Sequence, residues 1–291
     1  MHYTAGTVKV AAVQMKMSRD PAENIAHAEE MVRKADAQIV LLPELFERQY
    51  FCQERRYEYY AYAKPVMENA AVQHFLKVTQ QLQIVMPVSF FEKDGNVLYN
   101  SVAILDCGKL LGIYRKTHIP DDHYYQEKFY FTPGNTGFKV WDTTYGNIGV
   151  GICWDQWFPE AARCMALMGA DLLLYPTAIG SELILKVDSA GHWRRTMQGH
   201  AAANVMPVVA ANRIGTEAVE PCAENGNQKS ALKFYGSSFI TDATGQILQD
   251  GSRENEEILT ASFDFAQIRQ ERLEWGLFRD RRPQVYGKIT E

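Results

Sequence analysis

Three residues with reactive side chains stand where short apolar runs end. Glu44 and Cys153 close the runs Gln38–Glu44 and Asn147–Cys153, and Lys116 stands at the end of a third run. A carboxylate can accept a proton, a thiolate can attack an electrophilic carbon, and an ammonium group can stabilise an oxyanion. Such runs are typical of buried strands, and the ends of parallel strands meet at one edge of a sheet, where ligands bind. The three residues together predict a base, a cation and a nucleophile at one site.

Taken singly, each of these residues also has a structural explanation. A free cysteine that ends a buried strand is usually a small hydrophobe, although the helix expected near Pro159 would favour a thiolate at Cys153. Glu44 can cap a strand edge or pair with an arginine, because an unpaired carboxylate is costly to bury. Lys116 can be a solvated charge at a sheet edge. Only the combination of the three points to catalysis.

Metal chemistry and histidine catalysis are the competing interpretations. The seven histidines form no His-Glu-x-x-His pattern or similar pair of metal ligands, so we expect no metal and no other cofactor. His118 or His192 can in principle activate Cys153, but neither lies in a local Cys/His protease signature. A buried histidine is more often a hydrogen-bonded structural group. A histidine base is therefore the second choice.

The elements that must position these residues alternate between strands and helices. The predicted strands are Val8–Gln14, Gln38–Glu44, Gln83–Phe91, Asn100–Leu105, Asn147–Cys153, Ala170–Thr177 and Asn204–Asn212. The predicted helices begin after Asp20, with Pro21 in the first turn, and cover Val66–Leu82, Pro159–Gly169 and His192–Ala203. Two later strands, Ser237–Leu248 and Glu257–Phe265, are expected to form a hairpin. This order predicts an α/β protein with residues 1–291 in one domain.

Composition excludes several classes of partner. The 291 residues carry a net charge of −5 without a basic block, so binding to nucleic acid or an anionic membrane is not expected. The apolar stretches are interrupted well before the roughly 18 residues that a membrane-spanning helix needs. Residues 1–20 show no secretory signal pattern. Five cysteines without a Cys-x-x-Cys pair favour free thiols in a reducing cytoplasm.

Three motifs in the chain resemble the signatures of the nitrilase superfamily of carbon–nitrogen hydrolases. They are Leu41-Leu42-Pro43-Glu44, Tyr114-Arg115-Lys116-x-His118-Ile119-Pro120 and Gly149-Val150-Gly151-Ile152-Cys153-Trp154-Asp155, in the order that the family has. The resemblance extends from Val8 to about Tyr286 and implies a four-layer αββα sandwich. It also implies that Glu44 is the general base, Lys116 the electrostatic stabiliser and Cys153 the nucleophile.

The same resemblance assigns two supporting groups. Glu127, within Tyr125-Gln126-Glu127, matches a further glutamate that orients the substrate and the lysine, although a structural salt bridge is the alternative. The backbone N–H of Trp154 is expected to share the oxyanion with Lys116. A planar amide or ureido carbon is a poor electrophile, so this chemistry needs both a thiolate and a stabilised oxyanion.

Longer segments resemble the branch of the family that hydrolyses N-carbamoylputrescine to putrescine, carbon dioxide and ammonia, a step of polyamine biosynthesis. They are 126–131, 178–182, 192–200 and 278–283. A carbamoylated diamine has an ammonium tail, so carboxylates or aromatic faces should line the far end of its site. The candidates for contact with this substrate are Asp122, Tyr124, Tyr125, Ser181 and Glu182.

Other outcomes remain open at this level. Arg194 and Arg195 can instead indicate a substrate with a carboxylate, and another carbamoyl or ω-amide hydrolase is the alternative enzyme. A catalytically silent interaction protein of the same fold is the alternative from another class, but such a protein is expected to lose one of the three reactive residues. The resemblance further implies at least a dimer, in which the C-terminal segment 268–291 contacts the neighbouring subunit.

Overall fold

The computed structural model describes residues 6–182 and 187–291, and two six-stranded sheets stacked face to face form its centre. The strands in chain order are β1 (Val8–Gln14), β2 (Ile39–Leu41), β3 (Val85–Asp94), β4 (Val97–Asp106), β5 (Lys109–Arg115), β6 (Val140–Thr143), β7 (Gly146–Val150), β8 (Leu172–Thr177), β9 (Gly180–Glu182), β10 (Val208–Asn212), β11 (Ile214–Val219), β12 (Ser230–Tyr235), β13 (Phe239–Thr241), β14 (Ile247–Asp250) and β15 (Glu257–Phe263). The first sheet has the order β15-β1-β2-β3-β4-β5, and the second has the order β14-β13-β10-β8-β7-β6. A small third sheet has the order β11-β12-β9.

Helices cover the outer face of each large sheet. They are α1 (Pro21–Ala35), α2 (Ala70–Leu82), α3 (Pro159–Leu167) and α4 (Ala190–Asn204), whereas α5 (Phe265–Trp275) follows β15 and packs against the core between the two sheets. Helices α1 and α2 pack on the first sheet, while α3 and α4 pack on the second. The predicted αββα sandwich is confirmed. No helix in the described ranges is long and apolar enough to cross a membrane.

The sandwich explains why the central strands are apolar almost without interruption. Along β1, Val10 and Ala12 face the opposite sheet, whereas Ala11 and Val13 face the helices. Successive side chains of a strand point to opposite faces, and here both faces are covered. Consecutive residues of β1 from Val10 to Gln14 are therefore all buried, which removes the alternating pattern of a half-exposed strand.

Polar side chains determine where the first two helices begin. The Asp20 carboxylate accepts a hydrogen bond from the backbone N–H of Ala22 at 2.8 Å, as expected for a helix that starts with Pro21. The predicted start of α2 at Val66 is wrong, because Asn69 caps this helix and accepts from the Val72 N–H at 2.9 Å. Residues 66–68 form a separate 3-10 turn.

The predicted hairpin near the C-terminus is also wrong. Strand β13 pairs with β14 around the turn at Asp242, whose N–H donates to the Gln246 carbonyl at 2.9 Å. Strand β15 instead crosses to the first sheet and pairs antiparallel with all seven residues of β1. That pairing satisfies backbone groups of β1 that would otherwise form an exposed sheet edge. The turn residues after β14 thus begin a crossover between the sheets.

Candidate active site

Glu44, Lys116 and Cys153 all follow strands that end at the same side of the sandwich. Strand β2 ends three residues before Glu44, β5 ends one residue before Lys116, and β7 ends three residues before Cys153. Strands β2 and β5 belong to the first sheet, whereas β7 belongs to the second. The expectation that one parallel sheet collects all three residues is therefore wrong. The two sheets are mixed, and the site forms where their strand ends face each other.

A buried network of opposite charges lies at the centre of this site. The Lys116 ammonium nitrogen lies 2.8 Å from Glu44 Oε1 and 2.7 Å from Glu127 Oε2. All three side chains are at most 1% exposed. The Asn100 amide donates to Glu44 Oε1 at 2.7 Å, and the Tyr50 hydroxyl donates to Glu127 Oε1 at 2.6 Å. Buried charges need such partners, because desolvation otherwise outweighs their attraction.

One carboxylate oxygen of this network makes no hydrogen bond to a described residue. Glu44 Oε2 is buried and has no hydrogen-bond partner among the residues that the structure describes. The negative charge of Glu44 acts on the Cys153 thiol and raises its pKa. A buried carboxylate oxygen with an unused lone pair can accept a proton.

Cys153 carries a neutral thiol in this environment. Burial raises the pKa of the thiol well above its ordinary value, and the charge of Glu44 raises it further, while Lys116 opposes the shift. The expectation that a helix start would favour the thiolate is wrong, because α3 begins only at Pro159 and burial is the largest influence on the thiol. The nucleophile must lose its proton during the reaction.

The two other members of the charge network have shifted pKa values as well. Burial lowers the pKa of Lys116, but the charges of Glu127 and Glu44 outweigh burial and raise it well above its ordinary value. Burial raises the pKa of Glu127 to about 7, against the lowering effect of Lys116. The lysine therefore stays cationic at neutral pH, while Glu127 titrates there.

A strained turn presents the cysteine. Cys153 has a φ of +41°, in the left-handed region that residues with side chains rarely adopt, and it opens a 3-10 turn that ends at Trp157. Its sulfur lies 3.8 Å from the carbonyl oxygen of Ala178. Trp154 follows in the first residues of the turn, where backbone N–H groups are not used by the helical ladder, and its side chain is 39% exposed.

The Asp155 carboxylate fixes the turn that carries Cys153. This buried group accepts hydrogen bonds from the backbone N–H of Ile152 at 2.9 Å and of His118 at 3.0 Å. It also accepts from the Tyr114 hydroxyl at 2.7 Å. The residue thus connects the Cys153 turn to the segment that carries Lys116.

The two histidines considered as alternative bases are engaged elsewhere. The His118 ring nitrogen Nδ1 lies 2.7 Å from Asp155 Oδ1, and the ring stacks on Phe158. His192 is exposed on α4, where its ring packs against Trp157. The charged groups that act most strongly on Cys153 are instead Glu44, Lys116 and Glu127. Within the described residues, no group of three His, Cys, Asp or Glu side chains can hold a metal ion.

The structure separates the five residues expected to contact the substrate. Burial raises the pKa of the Tyr125 hydroxyl, and the charges of Glu182 and Cys153 raise it further. The hydroxyl accepts a hydrogen bond from the Gly180 N–H at 2.9 Å. Burial raises the pKa of Glu182, and Asp122 raises it further. The Tyr125 hydroxyl thus contacts the strand β9 that carries Glu182.

The other three candidates are less closely tied to the reactive groups. The Asp122 carboxylate is 75% exposed and lies 2.9 Å from the His123 ring. Tyr124 has a φ of +61° and lines an outer groove formed with β11 and β12. Ser181 is half-buried on β9, opposite Lys233 of β12. Asp122 acts on Glu182 only through its charge.

Sequence reasoning missed the neutral side chains that orient the carboxylates. Asn100 and Tyr50 each bind a carboxylate of the buried charge network, yet the first lies inside a strand and the second in an irregular segment. Asn100 carried one usable signal, since an amide within a fully buried strand needs a hydrogen-bond partner. Asp155 was visible in the cysteine motif, but its role depends on contacts with two distant segments.

Comparison with known proteins agrees with this geometry. The chain matches the family described as Carbon-nitrogen hydrolase over residues 9–272. It is 52% identical over 288 residues to a citrullinase of Francisella tularensis, covering 97% of this chain and 98% of the relative. It is 53% identical over 284 residues to an N-carbamoylputrescine amidase of Oryza sativa, covering 96% of this chain and 93% of the relative.

A solved structure has the same architecture. The crystal structure of a carbon-nitrogen hydrolase from Helicobacter pylori G27 superposes with a TM-score of 0.89 at 34% identity, covering 98% of this chain and 99% of that one. The family match extends over most of the chain and includes all three reactive residues. The chain therefore belongs to the carbon–nitrogen hydrolase family of the nitrilase superfamily and is an enzyme that hydrolyses non-peptide carbon–nitrogen bonds.

Proposed function

We propose that the enzyme is an N-carbamoylputrescine amidohydrolase that uses Cys153 as nucleophile and Glu44 as general base. Two observations carry the mechanism: a buried oxygen of Glu44 has no partner among the described residues, and the charge of Glu44 acts on the neutral Cys153 thiol. Putrescine as product places the reaction in polyamine biosynthesis. All five cysteines are free thiols, which supports a reducing compartment such as the cytoplasm.

The first half of the reaction forms a carbon–sulfur bond. Glu44 Oε2 takes the thiol proton as the Cys153 sulfur attacks the ureido carbon, whose carbonyl electrons move to oxygen. Lys116 and the backbone N–H of Trp154 stabilise this oxyanion. Collapse of the tetrahedral intermediate breaks the bond to the terminal nitrogen, which takes the proton from Glu44 and leaves as ammonia.

The second half releases the carbamoyl group. Glu44 takes a proton from a water molecule, and the resulting hydroxide attacks the carbon of the thiocarbamate. The carbon–sulfur bond breaks, the thiol regains its proton from Glu44, and a carbamic acid leaves. Carbamic acids decompose to carbon dioxide and the free amine without further water, so the net reaction consumes one water molecule and yields putrescine, carbon dioxide and ammonia.

Glu127 has a supporting role in this scheme. Its carboxylate and that of Glu44 lie on two sides of the Lys116 ammonium group, at 2.7 Å and 2.8 Å. This geometry fixes the lysine where a single partner would leave it free to rotate. Because Tyr50 in turn fixes Glu127, the cation is preorganised before the substrate binds.

The proposed substrate follows from charge near the nucleophile. Glu182 is half-buried at the end of β9, the strand whose Gly180 N–H binds the Tyr125 hydroxyl, so its carboxylate can bind an ammonium tail while the Tyr125 ring provides a further face. Arg194, considered above as a partner for a substrate carboxylate, pairs with Asp250 and lies over the Phe239 ring. The acidic side of the site thus favours a cationic amine.

Citrulline is the second candidate, since a relative that is 52% identical is named a citrullinase. Citrulline has the same ureido head but carries a carboxylate beside its ammonium group. Glu182 and Asp122 would repel that carboxylate, which makes the simple diamine the better partner.

Ammonia release from a panel of compounds tests this proposal. We expect kcat/KM for N-carbamoylputrescine to exceed that for N-carbamoyl-β-alanine by at least roughly a hundredfold, which equals a little under 3 kcal/mol of differential transition-state binding. Citrulline, glutamine and a nitrile complete the panel. Equal or faster hydrolysis of citrulline would transfer the assignment to citrulline, and equal hydrolysis of carbamoyl-β-alanine would remove the diamine specificity.

A further inference from the structure

The residue after the general base has an unfavourable backbone conformation. Leu45 is buried and has a φ of +48°, in the left-handed region where a side chain meets the backbone. Such a conformation persists only where surrounding contacts enforce it. The Ser89 hydroxyl accepts the Leu45 N–H at 2.9 Å, which accounts for one side of the turn. The carbonyl side must be held by another group.

The guanidinium group of Arg213 holds that side. Arg213 lies between β10 and β11, is fully buried, and donates from Nη2 to the carbonyl oxygens of Glu44 at 2.6 Å and Leu45 at 3.1 Å. From Nη1 it also donates to the Arg48 carbonyl at 3.1 Å. One planar cation therefore binds three carbonyl groups of the segment that carries the base.

The clamp that Arg213 forms on the segment 44–50 is extended to Tyr50 by a carboxylate on β11. Glu217 lies four residues after Arg213, on the same face of the extended chain, and its Oε1 lies 2.9 Å from Arg213 Nη1. The other oxygen of Glu217 accepts the backbone N–H of Tyr50. The Tyr50 hydroxyl then donates to Glu127. The pair thus contacts both ends of the segment 44–50.

We propose that Arg213, paired with Glu217, is a positioning residue for catalysis. It fixes the segment 44–50 so that Glu44 and, through Tyr50, Glu127 stand on two sides of Lys116. The inference rests on the proposed roles of Glu44 and Glu127. Its physical basis is that a general base displaced by about 1 Å loses up to a hundredfold in rate even when substrate still binds.

The test replaces Arg213 by lysine, which keeps the positive charge but cannot bind several carbonyl groups with one planar fork. For Arg213→Lys we expect kcat to fall by roughly ten- to a hundredfold, with KM changed by less than about threefold. Steady-state ammonia release and a thermal melt are measured on the same preparation. The matched control is Arg269→Lys, which weakens the two bonds from Arg269 to Asp171 at the start of β8, away from the site.

The control separates positioning from general destabilisation. Arg269→Lys should lower the melting temperature and leave kcat within about twofold of the parent enzyme. An Arg213→Lys enzyme that keeps kcat within twofold overturns the proposal, and so does an equal loss of kcat in both variants.

If Arg213→Lys does not fold, Glu217→Gln replaces it. This variant keeps one acceptor oxygen for two donors, so an amide N–H faces either the Tyr50 N–H or the Arg213 guanidinium group. Unchanged kcat in Glu217→Gln likewise overturns the proposal.

A parallel measurement on Glu44→Gln distinguishes the two levels of inference. If Glu44→Gln retains activity, the proposed base and the clamp that positions it both fail. If Glu44→Gln is inactive while Arg213→Lys is normal, only the clamp fails.

Discussion

The Cys153 thiol is neutral at rest because burial and the charge of Glu44 raise its pKa. Replacing it by alanine deletes one sulfur atom from a buried site. We expect Cys153→Ala to abolish ammonia release while the fold remains, since the covalent route disappears but little packing is lost. Circular dichroism and a thermal melt provide the control. Substantial activity in the folded variant, or full activity of the parent enzyme after iodoacetamide treatment, would exclude a thiol mechanism.

Substitutions of Glu44 and of the two histidines distinguish a glutamate base from a histidine base. Glu44→Gln keeps the shape of the side chain and removes the proton acceptor, so kcat should fall by at least roughly a hundredfold. His118→Asn and His192→Asn should have smaller effects, because these rings contact Asp155 and Trp157. The three variants are compared by steady-state kinetics at one pH. The reverse ranking would favour a Cys/His mechanism.

The raised pKa of Glu127 predicts that kcat/KM changes with pH near neutrality. Its pKa of about 7 means that the carboxylate gains a proton as the pH falls through 7 and that Lys116 then loses one ionic partner. We expect kcat/KM of the parent enzyme to decline below about pH 7, and this limb to vanish or move to more acid pH in Glu127→Gln, whose maximal rate is lower. An unchanged acid limb in the variant would contradict this assignment.

The same shift predicts how stability changes with pH. Because the pKa of Glu127 is raised from 4.5 in the folded state, its contribution to stability is complete below pH 4.5 and is lost as the pH rises through about 7. The melting temperature of the parent enzyme should therefore fall relative to that of Glu127→Gln as the pH rises from 5 to 8. A constant difference across this range would contradict the raised pKa.

At the scale of elements, β9 is the link between the nucleophile and the proposed amine site. The carbonyl of Ala178 contacts Cys153, and the chain then runs through β9 to Glu182. Pairing of β9 with β12 fixes the position of Glu182 relative to the cysteine. A short strand can thus set the distance between the ureido head and the ammonium tail of a substrate.

This arrangement gives a graded prediction for the two acidic residues. Glu182→Gln should raise KM for N-carbamoylputrescine at least roughly tenfold and change KM for an uncharged N-carbamoyl alkylamine little, because only the diamine loses an ionic partner. Asp122→Asn should have a smaller effect, since its carboxylate is 75% exposed and screened by solvent. Kinetics with both compounds check the prediction. An equal rise in KM for the neutral compound would indicate a structural role for Glu182.

At the scale of the whole molecule, the C-terminal segment leaves large apolar side chains uncovered. Leu273 is 73% exposed, Trp275 69% and Val285 70%, all within the predicted association segment 268–291. Contiguous exposed apolar groups on a protein surface mark interaction sites. We expect a second copy of the chain to cover them, so that the enzyme is at least a dimer in solution.

Light scattering tests this expectation directly. The parent enzyme should have a mass of at least twice 33.1 kDa at micromolar concentration. Trp275→Glu together with Leu273→Glu should shift the mass toward the monomer, because two charges cannot be buried unpaired in an interface. A parent enzyme that is monomeric at this concentration would remove the prediction.

The sequence alone determined the chemistry of the reactive residues and the class of fold. Glu44, Lys116 and Cys153 could be identified because each ends an apolar run, and the motifs around them are local in the chain. Helix α1 could be located for the same reason, since Asp20 and Pro21 act within one turn. Such signals can be recognised in the sequence because they depend only on residues that are close together in the chain.

Only the tertiary structure decided how these residues act on one another. The crossover of β15 to β1 and the clamp from Arg213 to Glu44 join positions well over a hundred residues apart, which no periodicity in the sequence records. The neutral state of the Cys153 thiol depends on burial and on the distance to three charges. Desolvation and Coulomb energy are functions of position in space, so the sequence names the charged groups and the fold determines their protonation.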